Sequence, residues 1–275
     1  MAFSRLRIST LLCCALFPAL LLAQSAPNPR QIISQARTAY YNLSNEGMDT
    51  FQCSVTPDWE ALLQEQRKQN PDAADAAITI LKQIRFVVAL GSDGKIKLTH
   101  NELSGQTDQM KAALAQIYGG MEQMTSGFYE TWSLFVMNPP LPPPESEYQL
   151  QTSGPVYLLA YTESTAQVAT TLSKDFAVTE LKVTTPEFDS VIHPEFIKTP
   201  KGLLLSGYTA DYQSKDPGEA THLNVLLEYQ EVDGVQMIRK LDLSGTYGGT
   251  PFVVSLAYSE CQVTKKPAVS AALTR

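Results

Sequence analysis

The sequence predicts an α+β fold: a strongly curved antiparallel sheet or unclosed β-barrel of about 10–11 strands, covered or plugged by helices. Three observations lead there. Beyond a proline run at Asn138–Pro144, hydrophobicity alternates with period two nearly to the end of the chain. Three shorter alternating segments stand before that run. Between the two groups lies a long apolar stripe at helical spacing, Gln106–Phe135.

The first residues set the compartment. Arg5 and Arg7 precede an almost unbroken apolar run, Thr10–Leu22, followed by the small and polar residues Ala23-Gln24-Ser25-Ala26. A positive start, a short apolar stretch and small residues beyond it form a secretory signal peptide, residues 1–23. The run is too short for a permanent span, which needs ~20 residues, so no stable membrane span is expected. Cleavage is placed after Ala23, because Pro27 disfavours a cut after Ala26. Cys13 and Cys14 lie early in the apolar run rather than at its close, so neither reads as a lipid-attachment site. The expected location is therefore periplasmic or secreted.

The mature chain reads in order as follows. Asn28–Tyr41 opens with Pro29 and spaces Ile32, Ile33, Ala36, Ala39 and Tyr40 as a short amphipathic helix. Thr50–Thr56 alternates Phe51, Cys53 and Val55 with polar residues, a half-buried strand that Pro57 stops. Trp59–Gln69 and Asp72–Ile84 are rich in Ala, Leu, Gln and Lys and read as two helices separated by Asn70-Pro71. Arg85–Leu90 and Lys95–Thr99 flank Ser92-Asp93-Gly94, a hairpin signal. The stripe of the following helix runs through Met110, Leu114, Ile117, Met121, Met124, Phe128, Trp132 and Phe135. Gly119-Gly120 and Gly127 are expected to kink or divide it.

Eight strands are expected after the prolines: Tyr148–Thr152, Pro155–Glu163, Gln167–Leu172, Ala177–Thr184, Gly202–Tyr212, Thr221–Val232, Val235–Ser244 and Pro251–Val263. Asp233-Gly234 and Gly248-Gly249 supply turn chemistry between the last three. Three N-terminal strands are too few to stand alone, so the proline run is read as a connector within one domain, 24–265, with a helical insertion at about 57–137. Residues 266–275 read as a disordered tail.

Composition narrows the function. Of 275 residues 44% are hydrophobic and only 18% charged, with 21 basic against 28 acidic and a net charge of −7. Loss of the signal removes two arginines and makes the balance more acidic still. A nucleic-acid binder needs a basic footprint, and none exists, so no nucleic-acid partner is expected. His100, His193 and His222 are far apart and fit no metal-ligand spacing. No nucleophile elbow, phosphate-binding loop or dinucleotide fingerprint occurs, so no cofactor and no metal are expected. Asp211, Asp216 and Glu219 fit a solvated hairpin tip, and Glu228, Glu231 and Asp233 flank a turn where carboxylates are ordinarily solvated. Asn42-Leu43-Ser44 has the form of a glycosylation acceptor. The protein reads as non-enzymatic, with no catalytic residues.

Two cysteines remain after the signal, Cys53 and Cys261. In an oxidising compartment they read either as a disulfide fastening the first strand to the last or as two buried inert thiols. The candidate ligand-binding residues are Phe51, Val55, Met121, Met124, Phe128 and Trp132. A broad antiparallel sheet tends to curl, and methionines adapt to irregular apolar shapes, which suits a site for flexible acyl chains. The same stripe also reads as plain core.

The N-terminal helix running into Thr50-Phe51-Gln52-Cys53-Ser54-Val55 resembles the opening of LolA/LolB-type envelope lipoprotein carriers and acceptors. The late hairpin Glu228–Leu241 and its following strand Phe252–Val263 are similar to that superfamily too. The resemblance implies an unclosed, strongly curved sheet around an apolar cavity covered by helices, and a lipid or lipoprotein acyl chain as ligand. An envelope protein is the further partner it suggests. The long helical insertion, the proline run and the cysteine pair depart from the pattern. Arg85 stands where a lipoprotein-gripping arginine is sought by position alone. The alternative is an envelope interaction module whose cavity is filled by its own helix.

Overall fold

The computed structural model describes residues 28–215 and 220–266. The expected signal peptide at 1–23, the tail beyond Lys266, and Asp216 and Glu219 lie outside them.

Every β-strand described belongs to one antiparallel sheet. Before the proline run it contains β1 (Met48–Pro57), β2 (Phe86–Leu90) and β3 (Ile96–His100). After it come β4 (Gln149–Ser153), β5 (Val156–Glu163), β6 (Ala166–Ser173), β7 (Val178–Thr184) and β8 (Phe188–Thr199). They are followed by β9 (Gly202–Ser214), β10 (Ala220–Val232), β11 (Val235–Tyr247) and β12 (Thr250–Lys265). The order across the sheet is β3-β2-β1-β12-β11-β10-β9-β8-β7-β6-β5-β4, so it is not closed and β3 and β4 are its free edges. From β4 to β12 the chain is an uninterrupted meander, and β1 then pairs with β12. The strands on either side of the proline run thus share one sheet, and one buried core draws on both groups.

The sheet has 12 strands, against about 10–11 expected. The unexpected one is β8, whose Pro194 argues against a strand in the middle of a sheet. Its physical reason is local. β7 pairs β8 only over Asp189–Ile192, while Pro194 pairs with Tyr208 of β9 alone. At Pro194 the strand has one ladder neighbour, so no N–H is called for on the β7 side, and a register shift follows at once between Glu195 and Phe196. The Asp233-Gly234 turn forms as its chemistry demands, both residues taking positive φ.

Two strand glycines have a different role. A Cβ at Gly207 of β9 would overlap the carbonyl oxygen of Val225, and one at Gly245 of β11 would overlap that of His222. Both oxygens belong to β10, which is gripped by a glycine on each side. Glycine inside a strand marks a tight bend or a close backbone approach, and here it is the latter.

Helix α1 (Pro29–Thr38) is capped by Asn28, whose side chain accepts from the Arg30 N–H, and buries Ile32, Ile33 and Ala36. The expected helix over Trp59–Gln69 divides into α2 (Trp59–Leu62) and α3 (Gln64–Gln69), and α4 (Pro71–Leu81) follows the Asn70 cap. Helix α5 (Asp108–Val136) is continuous over 29 residues; its glycines do not divide it. No described helix is long and apolar enough to cross a membrane.

Candidate functional site

Helix α5 positions the candidate site. Thr107 caps it by accepting from the Met110 N–H, and the helix then crosses one face of the sheet from the β3 edge inward. Its stripe meets the sheet as spacing requires. Leu114, Met121, Phe128, Trp132 and Phe135 are buried, whereas Met110, Ile117 and Met124 are partly buried against the same core.

The six sequence-predicted ligand residues fall together on this seam. Phe51 and Val55 point inward from β1, and Phe51 lies 6.0 Å from the ring of Tyr129 on α5. Met121, Phe128 and Trp132 are buried beneath the helix, Trp132 fully, and only Met124 is partly exposed. The six pack as core and line neither of two open hollows. One hollow of about 330 Å³ sits on strands β4–β7, lined by Gln149, Gln151, Leu158, Ala160, Ala169 and Lys182 among others. Another of similar volume is lined by Glu228, Arg239, Lys240 and Ala257.

A feature absent from the sequence reading is a belt of tyrosines under α5. Thr131 Oγ1 shares a hydrogen bond with Tyr212 Oη at 2.8 Å, and the Trp132 indole N–H donates to Tyr229 Oη at 3.3 Å. Tyr129 pairs through its hydroxyl with Tyr258. Burial drives the hydroxyls of Tyr129, Tyr208, Tyr229 and Tyr258 far above the ordinary tyrosine range. Beside the belt, burial pushes Tyr41 up to about 12 although the Gln236 N–H donates to it. The available signal was phase: Tyr229 follows Val225 and Leu227 at alternate positions, and Tyr258 follows Val254 and Leu256. These groups can donate and accept hydrogen bonds, but their raised pKa values come from burial rather than from a charged partner.

Two hydroxyls on α5 lack such partners. Thr125 Oγ1 and Tyr118 Oη are shut away from water with no hydrogen bond. Tyr118 stacks on His100 at 3.6 Å between ring centroids and meets Phe86 edge-on at 6.2 Å.

Cys53 and Cys261 form the disulfide, linking β1 to β12 across the register shift between Gln52 and Ser54. The other polar candidates are dispersed. His100, His193 and His222 stand on β3, β8 and β10. His222 Nδ1 is 2.8 Å from Asp211 Oδ1, both well exposed, and Glu228 pairs with Arg239. Among the described residues no three His, Cys, Asp or Glu side chains cluster as metal ligands. Arg85 precedes β2, its backbone N–H held by Asn101 Oδ1. Asn42 of the glycosylation-like triplet is buried, its Oδ1 accepting from the Asn45 N–H, so its amide is not presented to solvent. The chain matches no family model, and neither curated proteins nor solved structures give a match.

Proposed function

We propose that this chain is an exported, non-enzymatic binding protein that holds an apolar ligand, a lipid or lipoprotein acyl chain, against the inner face of a curved sheet, in the manner of LolA/LolB-type carriers. The observation that carries the reading is the seam itself: one long helix with Met121 and Met124 in its stripe covers the apolar side of a broad open sheet. A sheet of 12 strands tends to coil rather than lie flat. In this reading α5 occupies the ligand's place, and an acyl chain enters by displacing part of it. Methionine and tyrosine make the displaced surface tolerant, because one repacks around irregular apolar shapes and the other keeps a hydroxyl for water.

The test is native purification followed by lipid extraction and mass spectrometry, with titration of a fluorescent fatty acid into the delipidated protein. A stoichiometric lipid, or saturable binding weakened by Met121→Asp, is the expected result. A second reading has support from the full burial of Trp132, Phe135 and Val136. It makes the chain an envelope interaction module whose inner face is permanently filled by α5, with an envelope protein as partner. A lipid-free preparation that takes up no fatty acid selects it.

A further inference from the structure

We infer that the N-terminal half of α5, from Asp108 to Gly120, is a lid hinged at Gly119-Gly120, while the C-terminal half is a fixed anchor. This rests on the apolar-ligand reading for its purpose but not for its mechanics. Gly119 and Gly120 are exposed, and a Cβ built on either meets no atom within 4 Å. Neither has a positive φ. The fold therefore gives no packing or backbone reason for glycine, yet each lowers helix stability roughly fourfold to fivefold relative to alanine. Two in succession weaken the helix at one point.

The two sides of that point are held very differently. Beyond it, Phe128, Trp132, Phe135 and Val136 are buried, and Thr131 and Trp132 hydrogen-bond to Tyr212 and Tyr229. The carbonyls of Val136 and Met137 accept the N–H groups of Leu43 and Ser44. Before it, Leu114 is the one buried apolar side chain, with Met110, Ile117 and Tyr118 only partly covered. The Lys111 ammonium pairs with Asp108 of the same helix. Tyr118 reaches the sheet by ring stacking on His100, and its hydroxyl is closed off without a partner. A buried hydroxyl left unpaired disfavours the closed state and regains water when the segment lifts. The connector from Glu102 to Thr107 gives the lid its slack, because Asn101 is pinned before it by its bonds to the Arg85 N–H and the Gln83 carbonyl. Opening would uncover Phe86 and the inner side of β2 and β3 as an entry for an apolar chain, leaving the rest of the core intact.

Hydrogen exchange read by mass spectrometry on the ligand-free protein tests the hinge. Amides 112–120 are expected to exchange at least about tenfold faster than amides 128–136. Equal, slow exchange in both halves overturns the proposal. In the variant carrying Gly119→Ala and Gly120→Ala, exchange of 112–120 should slow about tenfold or more while 128–136 stays as it was. Unchanged exchange at 112–120 overturns it as well. Uptake of a fluorescent fatty acid separates the two levels. Uptake slowed in step with exchange supports a gating lid, and uptake indifferent to the substitutions overturns gating. Lid opening with no uptake at all leaves the hinge standing and removes the lipid reading.

Discussion

Cys53 and Cys261, separated by 208 residues of sequence, are joined by a disulfide with their Cα atoms 4.1 Å apart on neighbouring strands. The bond ties the first strand to the last at the one junction where the meander does not follow chain order. Cross-linking a loop of this length restricts the unfolded chain strongly, by about 5 kcal/mol in the entropy model before strain reduces it. Replacing both cysteines by alanine should lower stability by about 2–5 kcal/mol, read as a fall in the urea midpoint. Equal midpoints for the oxidised wild type and the double variant would show that the junction holds without its bridge.

Thr131 and Thr125 are both buried on α5 but differ in their hydrogen bonding. Thr131 bonds Tyr212, and Thr125 Oγ1 bonds nothing. Thr131→Val takes away the partner of the part-buried Tyr212 hydroxyl and should cost about 1 kcal/mol. Thr125→Val removes an unpaired hydroxyl and should be neutral or stabilising. Chemical denaturation of both variants compares them, and an equal loss in each would refute the assigned hydrogen bonding.

Alkaline pH should unfold the protein cooperatively. Tyr41 and Tyr161 are raised to about 12, and Tyr229 and Tyr258 further, chiefly by burial. A tyrosine in the unfolded chain loses its proton near pH ~10. The fold holds these protons more tightly, so their stabilising contribution is complete below that pH and is lost as pH rises through and beyond 12. Absorbance at the phenolate band should show few tyrosines titrating near their ordinary pKa and the rest appearing together with loss of far-ultraviolet dichroism. A single smooth titration of all 12 tyrosines at their ordinary value would contradict the burial.

Gly207 and Gly245 should be far less replaceable than Gly119. Alanine at either strand position collides with a carbonyl of β10, whereas alanine at Gly119 meets nothing. The strand substitutions should each cost about 2–4 kcal/mol, and Gly119→Ala should raise the melting temperature. Equal tolerance at the three positions would mean that β10 is not gripped as described.

Much of this architecture is legible in the chain because its signals are local. Period-two alternation marks eleven of the strands, Asp233-Gly234 marks a hairpin, and the spacing from Met110 to Phe135 marks the face of α5 that meets the sheet. Spacing put Phe51 and Val55 on one face of β1 and Met121, Met124, Phe128 and Trp132 on one face of α5, and the fold brings those two faces together on one seam. Whether the seam would be open or packed was not local information, since it depends on how closely α5 settles onto strands that are distant in sequence. Pro194 concealed β8 for the same reason: a proline is excluded from a strand by two ladder neighbours, and only the assembled sheet shows that β8 has one there. The tyrosine belt likewise needed the third dimension, because a hydroxyl in phase with valines becomes a buried hydrogen bond only when Thr131 and Trp132 arrive opposite it. Side-chain periodicity thus determined what each segment is, and long-range pairing decided which segments meet.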